Sequence, residues 1–156
     1  MIQSPLIWTF AALGPGWPAM GAVLIGALTL LQQRPRESQV VAIAHWSLLL
    51  TLASVLTGAV LWLSHGQQPV DLRLLDIYRS GDYALEMRLY LDLTSVVVAT
   101  VAAVLILATS RFAQRYLHRE PGFNRFYALM LTFAAGVLLL VLGGSYDLLL
   151  AGWEVV

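Results

Sequence analysis

Apolar residues in this chain are gathered into long runs, and most charged residues fall between them. Four runs approach or reach the roughly 20 residues with which a helix crosses about 30 Å of hydrocarbon. They cover residues 6–31, 40–63, 91–109 and 126–142. The first is interrupted by Gly14-Pro15-Gly16 and by Pro18. Proline lacks the amide hydrogen and clashes one turn back, so this helix is expected to start late or to kink. A fifth run follows Gly143-Gly144-Ser145 and extends from Tyr146 to Val156. As a helix it rises only about 16 Å, half of a hydrocarbon layer. A chain terminus and Glu154 left at that depth cost several kcal/mol each. The expectation is therefore that residues 1–156 are the N-terminal transmembrane part of a longer membrane subunit, or of a split one whose partner chain completes the helix.

The segment between the second and third runs, residues 64–90, changes period. Tyr83, Leu85, Met87, Leu89 and Leu91 alternate with Ala84, Glu86, Arg88, Tyr90 and Asp92, the two-residue repeat of a strand. Val70, Leu72 and Leu74 alternate with Asp71 and Arg73, and Arg79-Ser80-Gly81-Asp82 supplies turn chemistry between the two. A β-hairpin lying on the membrane surface is expected; the alternative is an amphipathic interfacial segment without fixed pairing. The fold class is thus an all-α polytopic membrane protein, with about four transmembrane helices, the start of a fifth, and a β-hairpin in the outer loop between helices two and three.

Composition agrees. The chain is 59% hydrophobic and 12% charged, with a mean hydropathy of +0.76, against roughly 25% charged residues in ordinary soluble domains. A formal net charge of zero argues against disorder and against a nucleic-acid partner. There is no Cys, which removes disulfide scaffolds, thiolate catalysis and Cys-held metal centres together. The first three residues carry no positive charge, so a secretory signal is a poor reading of the apolar start. All nine basic residues are Arg. Loop one holds Arg34 and Arg36; loop three holds Arg111, Arg115, Arg119 and Arg125; loop two mixes Arg73, Arg79 and Arg88 with five acids. The positive-inside bias then puts loops one and three in the cytoplasm of a bacterial inner membrane, with the N-terminus and loop two outside.

Few residues are candidates for chemistry. No Ser/His/Asp order, phosphate loop or dinucleotide fingerprint is present, and the three His are scattered, with no His/carboxylate pair at helical ligand spacing. The expectation is no catalytic centre, no cofactor and no metal in this chain. His45 sits beside Trp46 near the start of the second run, either as an interfacial anchor or as a proton relay. His65 and His118 fall in loops. Glu154, in Ala151-Gly152-Trp153-Glu154, lies two turns inside a membrane helix, and an acid there is a functional candidate unless the helix is a frayed stub. Burial raises the proton affinity of a carboxyl group and a neighbouring cation lowers it, so a partner that moves makes it take up and release a proton. Asp147 precedes it by seven residues on the same stripe, about 10 Å away. It is either a second relay step or an N-terminal cap of the helix.

The second half of the chain resembles the antiporter-like subunits of respiratory complex I, the NADH:quinone oxidoreductase chain 5 type. The resemblance rests on Leu91-Asp92-Leu93-Thr94-Ser95 opening a span and on the segment from Arg115 through His118-Arg119-Glu120-Pro121-Gly122 to Tyr127 linking two spans. It continues with Leu138-Leu139-Leu140-Val141-Leu142 leading to Leu148-Leu149-Leu150-Ala151-Gly152-Trp153-Glu154. It covers about residues 83–156. It implies that Glu154 pairs with a lysine on a later helix and gates proton transfer along a hydrated axis through the membrane, with a hairpin between spans two and three. Related subunits occur in multi-subunit cation/proton antiporters, membrane hydrogenases and inorganic-carbon accumulation complexes. Because this chain has no Lys, the implied partners are the lipid bilayer, further helices of the same subunit or a split partner chain supplying Lys, and other subunits of a membrane complex. The expected function is a proton-conducting subunit coupled to a partner reaction. The alternatives are the energy-coupling subunit of an inorganic-carbon or cation uptake complex, and a non-conducting membrane scaffold.

Overall fold

The computed structural model describes residues 5–31, 35–64, 66–80 and 83–156. The first three residues, Arg34, His65 and the turn residues Gly81 and Asp82 lie outside the described residues. The elements run α1 (Pro5–Leu30), α2 (Glu37–Ser64), β1 (Val70–Ser80), β2 (Tyr83–Leu91), α3 (Leu93–Tyr116), α4 (Phe123–Leu142) and α5 (Tyr146–Val155). Four of the helices, α1 to α4, are long and apolar enough to cross a membrane, and the chain is a multi-pass membrane protein with a hairpin between the second and third spans.

The buried positions explain how these helices pack. On α3 the buried residues are Ser95, Ala99, Ala103, Ile106, Ser110 and Ala113, a stripe repeating every three or four residues. The exposed face carries Val97, Val98, Val101, Val104 and Leu105. In lipid, large aliphatic groups gain nothing by leaving the surface, whereas small residues let helix backbones approach and gain dispersion contacts. The same logic puts Ala44, Ser47, Ser54 and Gly58 inside on α2, and Ala134, Ala135 and Gly136 inside on α4.

α1 is helical from Pro5 to Leu30, with Pro15 and Pro18 inside it. The expected late start is therefore not observed. Both prolines are buried, and Trp17 between them donates its Nε1–H to Ser54 Oγ of α2 at 3.0 Å. Neighbouring helices of this kind are what allow proline within a membrane helix. α3 extends seven residues past the end of its apolar run and α4 starts three residues earlier than its own, so the structure moves three of the loop-three arginines. Arg111 and Arg115 lie on the last turns of α3 and Arg125 on the first turn of α4. Long side chains that reach out of the apolar layer, and a helix C-terminus that favours cations, permit this.

Loops one and three do share one end of the bundle. Glu37 Oε2 lies 2.8 Å from His118 Nδ1, and Glu37 Oε1 accepts from the Arg119 amide at 3.0 Å. Asn124 Nδ2 reaches the Pro35 carbonyl at 3.5 Å. The hairpin stands at the other end. Its strands are antiparallel, with Leu72 opposite Leu89 and Val70 opposite Leu91. Leu72, Leu89 and Leu91 are buried and share a core with Ile7, Trp62, Leu138, Leu142 and Leu148. A second core, with Ile25, Val40, Leu48, Phe123, Tyr127 and Leu131, fills the arginine-rich end. β1 slips register between Arg73 and Leu75 and again between Asp76 and Tyr78, so Leu74 and Ile77 are the extra residues of two β-bulges. Arg73 and Arg88 face each other across the strands; the like charges are offset by Glu86, met by Arg73, Arg88 and Arg79, and by Asp71 and Asp76.

Candidate functional site

The site is built on α5. The helix begins at Ser145, whose Oγ accepts from the Leu148 amide at 3.4 Å as the N-cap. The same hydroxyl donates to the Glu86 carbonyl of β2 at 2.9 Å. Gly144 N–H donates to the Arg88 carbonyl at 2.8 Å, and Gly143 bridges to Leu89. The junction between α4 and α5 is thus hydrogen-bonded to the hairpin backbone at two successive residues, Gly144 and Ser145, beside the Gly143–Leu89 bridge.

From that joint α5 runs back along α4. Its buried residues are Leu148 and Gly152. A Cβ on Gly152 would meet Leu140 N at 2.6 Å and the Gly136 carbonyl at 3.1 Å, and one on Gly136 would meet Val155 Cγ1 at 2.8 Å. Two glycines thus allow a crossing close enough to bring backbone against backbone. Glu154, two residues past Gly152, is turned about 200° from it and faces away from α4. The residues around it on this face, Leu150 and Trp153, are also exposed.

The depth of Glu154 follows from its neighbour. Val155 is level with Gly136, which lies six residues from the hairpin end of α4 and thirteen from the other. At 1.5 Å per residue this is about 9 Å from one end and 20 Å from the other. The carboxyl group is therefore about a third of the way along a helix that is itself one span long. Among the described residues it forms no ion pair.

The other two sequence candidates lie apart from each other. Asp147 sits half-buried in the first turn of α5, on the same stripe as Glu154, in the field of the helix N-terminus. The N-cap itself is Ser145, and Asp147 stands two residues on, in the first turn, where the helix dipole favours an anion. His45 is at the arginine-rich half of α2, turned inward and half-buried, whereas Trp46 is 66% exposed and faces outward. The two neighbours therefore do not act as one anchor. Among the described residues no group of three His, Asp or Glu is placed to hold a metal ion.

Sequence reasoning did not single out Gly136 or the hairpin contacts of Ser145. A glycine two residues before an acid in an apolar run is the one signal that could have suggested a packed face opposite an exposed one. It also did not pair Ser110, one residue past the third run, with Tyr127, since neither residue carries a mark of which way it faces.

Comparison with known proteins agrees with this architecture. Residues 77–127 match the family described as NADH-Ubiquinone oxidoreductase (complex I), chain 5 N-terminus; they cover the end of β1, β2, α3 and the entry to α4. The chain is 28% identical over 153 residues to NAD(P)H-quinone oxidoreductase chain 5 of Synechocystis sp., covering 97% of this chain and 22% of that protein. It is 37% identical over 75 residues to NADH-quinone oxidoreductase subunit L of Pseudomonas aeruginosa, covering 48% of this chain and 12% of the relative. With subunit L of Escherichia coli it shares 29% over 133 residues, 84% of this chain and 22% of the relative. The chain thus spans less than a quarter of the length of these curated relatives. It is related to the antiporter-like chain 5/subunit L family of complex I, and corresponds to the N-terminal part of that family.

Proposed function

We propose that this chain is the N-terminal transmembrane part of a proton-conducting subunit in a complex I-like assembly, in which Glu154 couples proton movement to the reaction of partner subunits. The observation that carries the proposal is the placement of Glu154. It stands level with the outer third of α4, an apolar helix one span long, on the face of α5 opposite Gly152, with no counter-charge among the described residues. An acid at such a depth is retained where it meets a cation or lines a wet path. Further helices, of the same subunit or of a partner chain, cover this face and supply the lysine. When that lysine approaches, it favours the carboxylate and releases a proton; when it withdraws, the desolvated group takes one up. Asp147, one stripe-length closer to the hairpin end, is a second step on the same route. The arginine-rich end faces the cytoplasm and the hairpin end faces outward, in accord with the positive-inside bias.

The test is Glu154→Gln in the assembled complex in sealed vesicles. Coupled proton translocation is expected to be lost while the complex still assembles, and Glu154→Asp is expected to retain part of it. Translocation by Glu154→Gln at the unaltered rate would overturn the role of this residue.

A further inference from the structure

A groove of about 820 Å³ opens on the outer side of the bundle between α1 and α2, in the half nearer the arginine-rich end. It runs from Trp17 to Ala27 on α1 and from Ala42 to Leu50 on α2. Both helices are long and apolar enough to be spans, so the groove lies within the apolar layer. From Trp17 to Ala27 the helix rises about 15 Å, half of a hydrocarbon core of about 30 Å.

Residue size shapes this groove. Gly21 lies so close to Ser47 that a Cβ on it would collide with the serine Oγ, which draws the two helices together beneath the groove floor. The walls are larger residues with exposed side chains, Met20, Val23 and Trp46. At the deep end the groove stops where Trp17, which lines it, donates its indole N–H to Ser54 of α2 at 3.0 Å. Arg36 stands at the other end, exposed at the start of α2 and seven residues before Ile43 on the same helical stripe. Among the described residues neither Arg36 nor Arg111, Arg115, Arg119 or Arg125 forms an ion pair, whereas Arg73, Arg79 and Arg88 of the hairpin all meet carboxylates. The one acid beside Arg36, Glu37, is taken up by His118 and the Arg119 amide.

We propose that this groove binds an anionic phospholipid, with an acyl chain lying between α1 and α2 and the headgroup phosphate at Arg36. Length, lining and charge each favour a lipid over a helix of another subunit. The groove is one leaflet long and ends at Trp17, so a spanning helix, about 10 Å across, would be gripped over only half its length. An acyl chain anchored at the arginine-rich surface ends at that depth. The lining is apolar apart from Trp17, whose N–H is already engaged, and Ser47, which is buried. Hydrocarbon loses nothing there, whereas a polar ligand finds no partner. The unpaired guanidinium at the mouth complements a phosphate. The site faces away from the cores that carry α5, and it does not depend on the role proposed for Glu154.

The experiment is photolabelling of the full-length subunit in its assembled complex, reconstituted into vesicles of phosphatidylglycerol and phosphatidylcholine. Either lipid carries a diazirine on its acyl chain, and mass spectrometry locates the labelled residues. With the phosphatidylglycerol probe, Met20, Val23 and Trp46 are expected to be labelled several-fold more than Val101 and Leu105, exposed on the convex face of α3, where only boundary lipid passes. Ala42→Phe fills the groove from an exposed position and is expected to bring groove labelling down to the level of α3, leaving α3 unchanged. Arg36→Gln is expected to lower the preference for phosphatidylglycerol over phosphatidylcholine about fivefold, the effect of one cation at a membrane surface. Equal labelling of the groove and of α3 in the unaltered protein would mean boundary lipid only and overturns the proposal. A groove protected from both probes holds another protein, which overturns it as well. So does groove labelling that persists undiminished in Ala42→Phe, and an unchanged headgroup preference in Arg36→Gln removes the anionic lipid as the occupant.

Discussion

The two ends of the helical bundle are built on different principles. At the hairpin end the main chain of β2 takes part in every joint: it accepts from the Gly144 amide and the Ser145 hydroxyl and pairs with Gly143, and glycines let α5 touch α4. At the arginine-rich end the loops are joined chiefly by one side chain, Glu37, which reaches His118 and the Arg119 amide. Backbone-to-backbone joints fix geometry because neither partner has a rotamer to change. A side-chain tether, exposed to water and salt, fixes it much less. The contrast suggests a frame that is rigid where α5 begins and adaptable where the arginines gather.

The sharpest way to break this comparison is at Gly152. Its added methyl in Gly152→Ala falls 2.6 Å from Leu140 N, so α5 must lift from α4, at a cost of about 3 kcal/mol. By contrast, nothing lies within 4 Å of a Cβ on Gly26 near the arginine-rich end. Gly26→Ala is expected to stabilise by about 0.5 to 1 kcal/mol through helix propensity. Denaturant titration in detergent compares the two; equal effects would remove the distinction.

A smaller effect is expected at the joint. Ser145→Ala loses both the cap of α5 and the bond to the Glu86 carbonyl, together worth about 2 kcal/mol. Hydrogen exchange at the α5 amides is the measurement, and it should rise in the first turn and at the end of β2 together. Exchange that rises in α5 alone would show that the hairpin does not share this anchor. The smallest effect is expected at the far end. Glu37→Gln keeps an acceptor for the Arg119 amide but loses the charge opposite His118, for about 0.5 kcal/mol. The same denaturant titration should show that difference fading as salt is raised.

Most of the fold was legible because span length and hydropathy are properties of segments. Runs at 40–63 and 126–142 became α2 and α4, and the alternation from Tyr83 to Leu91 became β2. The second half of β1 was not legible, since the bulges at Leu74 and Ile77 each insert a residue and destroy the two-residue period there. The end of α3 was missed because Arg111 and Arg115 read as loop by charge, although a helix C-terminus favours cations and both side chains are exposed. At the candidate site, Glu154 stood out as an acid in an apolar run. Its facing direction did not, because that depends on Gly152 finding α4. Ser110 and Tyr127 were invisible for the same reason: hydropathy records what a segment is, not which neighbour it meets.

The shared hydroxyl of Ser145 has a mechanical consequence. α5 behaves as a short rod pinned at one end to a β-ribbon, and Glu154 rides on it about 13 Å from the pin. A pivot of about 10° there would sweep the carboxylate through roughly 2 Å, comparable to the difference between a made and a broken charge-assisted bond. Strain applied to the ribbon outside the lipid therefore arrives at the acid as displacement.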